Sequence, residues 1–205
     1  MKKHIFPLFI IAAAFSSSFS VQAVEMTDSA ASKPQVYFTS DISPEGLLEV
    51  YHALGVKPEG KTLIHTAGAY EDTAHLFEQP HGQDAFLESM AVAAKSVHDY
   101  FGGKVIYINV MNNLSVDCDC NGHPDTPRMK DVGILASLDP VALDKACLDM
   151  VFDLPSSEGD NRAPLIERIN SRHGTHTVDH AARIGFGSLD YELVDISHST
   201  TPENK

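Results

Sequence analysis

A nearly continuous apolar run at residues 104–111, KVIYINVM, constrains the fold of this chain more than any other stretch. It is rich in β-branched residues and does not alternate between apolar and polar positions. The run follows a segment in which apolar residues recur at helical spacing up to Gly102 and Gly103. This pattern is typical of a strand buried on both faces, so we expect a central strand covered by helices.

The chain on either side of this strand alternates between shorter strand and helix patterns. Ser43 and Asp139 each precede a proline and an apolar-periodic segment, which predicts an N-cap followed by the first helical residue. The predicted strands are residues 36–40, 61–66, 104–111, 132–137 and 191–196, and the predicted helices are residues 43–55, 86–101, 139–152, 164–171 and 178–184. The alternation predicts an α/β fold with a mostly parallel sheet flanked by helices.

The N-terminus has the pattern of a secretory signal peptide. Lys2 and Lys3 precede a short apolar core at residues 5–15, and small or polar residues then lead to Ala23. The apolar core is shorter than the roughly 20 residues that a spanning helix needs. We therefore expect residues 1–23 to be cleaved and the protein to be periplasmic or secreted, with no membrane span after cleavage.

The remaining chain divides into three parts. Residues 24–34 are small and polar, which predicts a disordered lead-in. Residues 35–197 carry the predicted strands and helices and form a single α/β domain, and residues 198–205 form a flexible tail. The formal net charge of −13, without a basic stripe, argues against nucleic acid as a partner and leaves an unknown small molecule or protein.

The stretch DCDCNGHPD, residues 117–125, follows the central strand directly. Loops at the carboxyl ends of strands are where α/β proteins usually bind ligands. Thiolate and imidazole groups suit a transition metal such as zinc or copper(I). Cys118, Cys120 and His123 therefore provide three candidate metal ligands, and His65, near the end of another predicted strand, provides a fourth.

Two other interpretations of this stretch stay open. Cys118 and Cys120 could form a strained, easily reduced disulfide, because residues two apart lie near the upper limit of disulfide geometry. The stretch could also be a solvated turn, since Asp, Asn, Gly and Pro are turn formers. Cys147, the third cysteine, lies on the apolar face of a predicted helix, which favours a buried, unreactive thiol.

A second group of histidines, His173, His176 and His180, lies around the start of a predicted helix. Capping of that helix together with solvated histidines is the favoured interpretation, although a ligand cluster is the alternative. The sequence lacks the usual nucleophile motifs, so catalytic residues stay unknown and enzymatic activity stays open.

Several blocks of the chain resemble one family. The most specific is the block at residues 117–151, from Asp-Cys-Asp-Cys to Asp-Pro-Val-Ala-Leu-Asp; residues 36–55, 60–68, 83–115 and 165–196 are also similar. The family is the one catalogued as domain of unknown function 362, whose members are often labelled uncharacterised iron–sulfur-centre proteins. The resemblance implies an iron–sulfur cluster at Cys118 and Cys120. Two thiolates are fewer than the usual four, which favours zinc or copper acquired after export.

The resemblance also predicts a shortened chain. Residues 55–60 run almost directly into Lys61, where full-length relatives have a long central section. A sheet lacking strands from that section would be incomplete. The alternative functions are therefore a non-catalytic binding or structural module, or an inactive truncated remnant.

Overall fold

The computed structural model describes residues 11–15, 32–56, 61–65, 82–116, 125–155, 157 and 159–197; for residues 11–15 and 61–65 the description is of the backbone. The described strands are β1 (Ile11–Phe15), β2 (Gln35–Thr39), β3 (Lys61–His65), β4 (Val105–Met111), β5 (Gly133–Ser137) and β6 (Glu192–Asp195). The described helices are α1 (Pro44–Ala53), α2 (Gly82–Tyr100), α3 (Pro140–Asp153), α4 (Ala163–Ser171) and α5 (His176–Arg183).

The strands form one mixed sheet in the order β3-β1-β4-β5-β2-β6. Only the pairing of β2 with β6 is parallel among the described pairs. The pairs β1–β3, β1–β4, β2–β5 and β4–β5 are antiparallel. The α/β class is confirmed, whereas the prediction of a mostly parallel sheet is wrong.

The connection from β4 to β5 explains this error. A parallel neighbour requires a crossover of a dozen or more residues, usually containing a helix. The described residues between β4 and β5 form no helix, and Met111 pairs with Gly133 as the chain returns. The alternation of strands and helices elsewhere in the sequence favoured parallel neighbours and therefore did not predict this antiparallel step.

Local sequence chemistry sets the helix starts as predicted. The Ser43 side chain accepts a hydrogen bond from the Gly46 N–H at 3.4 Å, and Asp139 Oδ1 accepts one from the Ala142 N–H at 2.9 Å. Asp139 Oδ2 also accepts from the Ser188 N–H at 3.0 Å. Asp139 therefore both caps α3 and fixes the loop after α5, which confirms its structural role.

Both faces of the sheet are covered, as expected for strands as apolar as β4. On one face Val105, Tyr107 and Leu135 pack against α3 and α4. On the other face Ile106 and Ile134 pack against α1. A third cluster joins α2, α3 and α5 through buried alanines, valines, a leucine and a phenylalanine: Ala91, Ala94, Val141, Leu148, Val178, Ala181 and Phe186. The helices thus lie on both sides of the sheet.

The strand β1 lies within the residues that the N-terminal pattern assigns to the signal peptide. The domain boundaries and the lead-in, tail and signal segments stay predictions. The predicted tail, 198–205, lies outside the described residues.

Candidate functional site

The candidate ligands Cys118, Cys120 and His123 lie in residues 117–124, outside the described part of the chain. His65 is the last residue of β3, and its backbone alone is described. The metal, disulfide and turn interpretations of the Cys118/Cys120 loop (residues 117–124) therefore stay predictions. The structure does describe the chain on both sides of this loop, residues 111–116 before it and 125–133 after it, which we call the loop roots.

The first root is the end of β4. The Val132 N–H donates to the Met111 carbonyl at 2.8 Å, and the Asn113 N–H donates to Asp131 Oδ1 at 2.8 Å. Asn113 has a positive φ of 51°, a conformation that asparagine adopts more readily than most residues. The outgoing and returning chains are thus held together where the loop begins.

Gly133, on the returning chain, lies very close to β2. It begins β5 with a φ of 151°, and a Cβ at this position would collide with the Thr39 carbonyl oxygen and the Phe38 ring of β2. Any side chain here would push β5 away from β2. Glycine therefore lets the chain enter the sheet directly after the loop.

The second root is fixed to the far end of α3. The Asn161 N–H donates to the Arg128 carbonyl at 2.8 Å, and the Lys130 N–H donates to Asp160 Oδ1 at 3.2 Å. The ion pair of Asp160 and Arg162 spans 3.4 Å, with both side chains less than a tenth exposed. Arg162 also donates to the Val151 carbonyl at 3.1 Å. A buried arginine thus links the returning loop to the α3 C-terminus.

On the face of the sheet covered by α3 lies a polar group in which Asp144 is buried and Asn109 and Cys147 are partly buried. Asn109 of β4 donates through Nδ2 to Asp144 Oδ1 at 2.8 Å and to Cys147 Sγ at 3.3 Å. Asp144 is 4% exposed. Burial raises the pKa of the Asp144 carboxyl to about 7, although the bond from Asn109 opposes this shift.

The Cys147 thiol lies in an environment that disfavours the thiolate. It is a free thiol, and burial, with help from the nearby Asp144 carboxylate, raises its pKa to about 12. The thiolate is the form that binds metals and attacks disulfides. This environment agrees with the predicted unreactive thiol.

Sequence reasoning missed the Asn109–Asp144–Cys147 group because its members lie on two elements 35 or more residues apart. The sequence did contain a signal for this group. Asn109 interrupts an otherwise apolar central strand, and Asp144 interrupts the apolar start of α3. Buried polar side chains need hydrogen-bond partners, so two such interruptions on neighbouring elements suggest a pair.

The second histidine group joins helices rather than capping one. Thr175, which precedes α5, makes no side-chain cap bond. His176 Nε2 lies 2.9 Å and His180 Nδ1 3.3 Å from Glu88 Oε1 of α2, and His173 Nδ1 lies 2.8 Å from Asp84 Oδ1. The favoured interpretation of helix capping is therefore wrong, and only His173 is mostly exposed.

Glu88 contacts three side chains of α5: His176, His180 and Arg183. Arg183 Nη2 lies 3.5 Å from Glu88 Oε1 and 3.2 Å from His180 Nδ1. The hydrogen bond from His176 and the nearby cationic groups of α5 lower the pKa of the Glu88 carboxyl. Within the described ranges, no three His, Cys, Asp or Glu side chains are arranged to hold a metal ion.

A cleft of about 500 Å³ opens at the opposite end of the sheet, where β5 ends and β2 begins. Its lining includes Lys33, Tyr37, Leu54, Ser137 and Glu192. Because β4 and β5 are antiparallel, the Ser137 end of β5 lies away from the root of the Cys118/Cys120 loop. The cleft therefore lies at the other end of the β4–β5 pair from Met111 and Gly133.

Comparisons with known proteins add one finding. A family model described as Domain of unknown function (DUF362) matches residues 51–149, a range that contains β3, α2, β4, the Cys118/Cys120 loop and β5. The resemblance expected at residues 36–50 and 165–196 lies outside that match, and the predicted shortening of the chain stays a prediction.

Neither a curated protein nor a solved structure matches the chain. Across the described ranges, no helix is both long and apolar enough to cross a membrane. Through residues 51–149, just under half of its length, the chain matches the family described as domain of unknown function 362.

Proposed function

We propose that this chain is an exported α/β protein that binds a transition metal, zinc or copper, through the Cys118/Cys120 loop. Cys118 and Cys120 supply thiolates, and His123 and His65 supply imidazole nitrogens. The observation that carries the proposal is the construction of the loop roots, which hold a ligand-rich segment at the end of a buried strand.

The roots favour binding because they restrict a segment rich in ligand groups. Hydrogen bonds fix the chain at Asn113 before the loop and at Lys130 after it. Met129, 6% exposed, anchors the returning chain in the main core. A loop with fixed ends loses less conformational entropy when it closes around an ion.

The chemistry of the donors selects the class of metal. Thiolate and imidazole together suit zinc and copper, whereas calcium and magnesium prefer oxygen ligands. All four candidate ligands lie within the part of the chain that matches the family model. Export in an unfolded state would favour an ion acquired after translocation over a preassembled cluster.

Metal content of chain 24–205, purified without a histidine tag, tests this function. We expect about one equivalent of zinc or copper(I), lost in a Cys118→Ser/Cys120→Ser variant. Binding should weaken below about pH 6, because protons compete for the thiolates and imidazoles. Cys147→Ser is the matched control and should retain the metal, since this thiol lies on α3 and is protonated at neutral pH.

Less than about a tenth of an equivalent after incubation with excess zinc or reduced copper would contradict metal binding. Intact-mass measurement on the same samples would then reveal the thiol-redox alternative, because oxidation of Cys118 and Cys120 to a disulfide removes two hydrogen atoms from the mass. Export has its own test: the N-terminal sequence of protein recovered from a bacterial periplasm should begin at Val24.

A further inference from the structure

The strand β1 separates β3 from β4 in the sheet, yet it lies within the segment proposed to be cleaved. We propose that β1 holds this place only in the uncleaved chain, and that after cleavage β3 pairs directly with β4 in parallel and brings His65 closer to Met111, the last residue of β4. The inference rests on the proposed export and deepens the proposed metal site.

Strand β4 requires a neighbour on this side. Val105, Ile106, Tyr107 and Ile108 are at most 7% exposed. Without β1, the edge of β4 would present a row of backbone N–H and C=O groups on a long apolar strand. Such an edge invites aggregation, and natural proteins avoid it.

Strand β3 is already aligned to replace β1. Ala12 pairs with both Ile64 and Tyr107, so these two residues lie level across the sheet. Ala14 likewise pairs with both Thr62 and Val105. Because β1 is antiparallel to each, β3 and β4 run in the same direction. A sideways shift of one strand spacing, about 4.8 Å, would pair them without changing register or reversing the strand.

The sequence of β3 and its connection to β4 fit this pairing. Strand β3 begins with Lys61, a residue type that protects edge strands from association. The chain from β3 to β4 contains α2, which is the kind of helical crossover that joins parallel neighbours.

The shift would change the position of His65 relative to β4. His65 pairs with Ile11, one residue beyond the level of Tyr107, so it lies level with Ile108. Its backbone would move from about two strand spacings to one, roughly 10 Å to 5 Å, from β4. His65 would then lie about 10 Å along the strand direction from Met111, the last residue of β4.

Nuclear Overhauser effects between backbone protons of β3 and β4 test the proposal on the unsubstituted protein. Chain 24–205, without added metal, should show β3–β4 contacts, and chain 1–205 should instead show β3–β1 and β1–β4 contacts. The β4 amides that face β5 should be protected from hydrogen exchange in both chains and serve as the internal control. Absence of β3–β4 contacts in chain 24–205 would overturn the proposal.

A pair of substitutions sharpens this result. Adjacent strand residues point their N–H groups to opposite sides, so Thr62→Pro/Leu63→Pro must remove one inward donor from β3. In chain 24–205 this variant should speed exchange of the outer β4 amides by at least about 100-fold. The matched control, Leu193→Pro/Val194→Pro in β6 at the other sheet edge, should leave those amides protected.

Outer β4 amides that stay protected in the β3 variant would overturn the proposal. If that variant fails to fold, the contacts in the unsubstituted chain decide. Neither experiment uses a metal ion or an exporting cell, so a failed strand shift is distinguishable from failed metal binding or failed export.

Discussion

Two carboxylates, one on α3 and one on α2, have pKa values that are shifted in opposite directions. Asp144 of α3 is buried, and its described donor is the neutral amide of Asn109. Glu88 of α2 is partly exposed and lies against the imidazoles of His176 and His180 and the guanidinium of Arg183. Burial raises the pKa of Asp144 to about 7, whereas the partners of Glu88 lower its pKa.

The comparison shows which contribution to the pKa dominates for each carboxyl group. Loss of hydration disfavours a charged carboxylate, and one neutral donor does not offset that loss. Cationic groups near the surface offset it because the residual hydration penalty is small there. The two helices therefore respond to pH in opposite directions, and three substitutions test this contrast.

Replacing Asp144 should have the largest effect. Because its folded pKa of about 7 exceeds the ordinary 3.8, the folded state binds the proton more tightly than the unfolded state. The resulting stabilisation is complete below about pH 4 and is lost as pH rises through about 7. Asp144→Asn should match the wild type near pH 4 and exceed its unfolding free energy at pH 8, by up to about 4 kcal/mol.

Urea unfolding between pH 4 and pH 8 measures this difference. Asp153→Asn, an exposed acid at the end of the same helix, is the matched control and should change stability little at either pH. A constant difference between Asp144→Asn and the wild type across this range would show that Asp144 is not the buried titrating group.

Removing Asn109 should have an intermediate effect of the opposite sign. Asn109→Ala deprives Asp144 and Cys147 of their shared donor. The loss should cost about 1 kcal/mol at pH 4.5, where the carboxyl is protonated, and about 2–3 kcal/mol at pH 8.5, where it is charged. In the double variant with Asp144→Asn, the extra cost at pH 8.5 should disappear; its persistence would contradict the proposed link.

Replacing Glu88 should have the smallest effect. Its lowered pKa means that its stabilising contribution is present above the ordinary value of 4.5 and is lost as pH falls through the folded value. Glu88→Gln should lower Tm by about 1–3 °C at pH 7 and by less near pH 3. The matched control is Glu167→Gln, at an exposed position on α4. Equal Tm shifts for both variants, measured by circular dichroism, would show that the contacts with α5 contribute nothing.

The helices and strands of the main domain could be predicted from the sequence because each depends on local periodicity and capping. Ser43 and Asp139 identify their helix starts through neighbours three residues away. Strand direction could not be predicted in the same way. The return of the chain from Met111 to Gly133 depends on how the sheet forms, and the strand–helix alternation elsewhere pointed to the opposite answer.

The candidate metal site and the α5 histidines also combine features that are visible in the sequence with features that are not. The thiols and imidazoles of the Cys118/Cys120 loop are visible in the sequence, and so is their position after a buried strand. The hydrogen bonds at the loop roots are not visible in the sequence, because Asp131 and Asp160 accept them from backbone N–H groups 18 and 30 residues away. The histidines of α5 were visible too, but their partner Glu88 lies 88 residues from His176.

The sequence by itself therefore determined the α/β class, the approximate positions of the elements between residues 35 and 197, and the ligand-rich loop, because these follow from side-chain periodicity and from chemistry within one short segment. Only the tertiary structure decided the antiparallel sheet order, the raised pKa of Asp144 and the joining of α2 to α5 by Glu88. These depend on burial and on contacts between residues far apart in the chain, which no local pattern encodes.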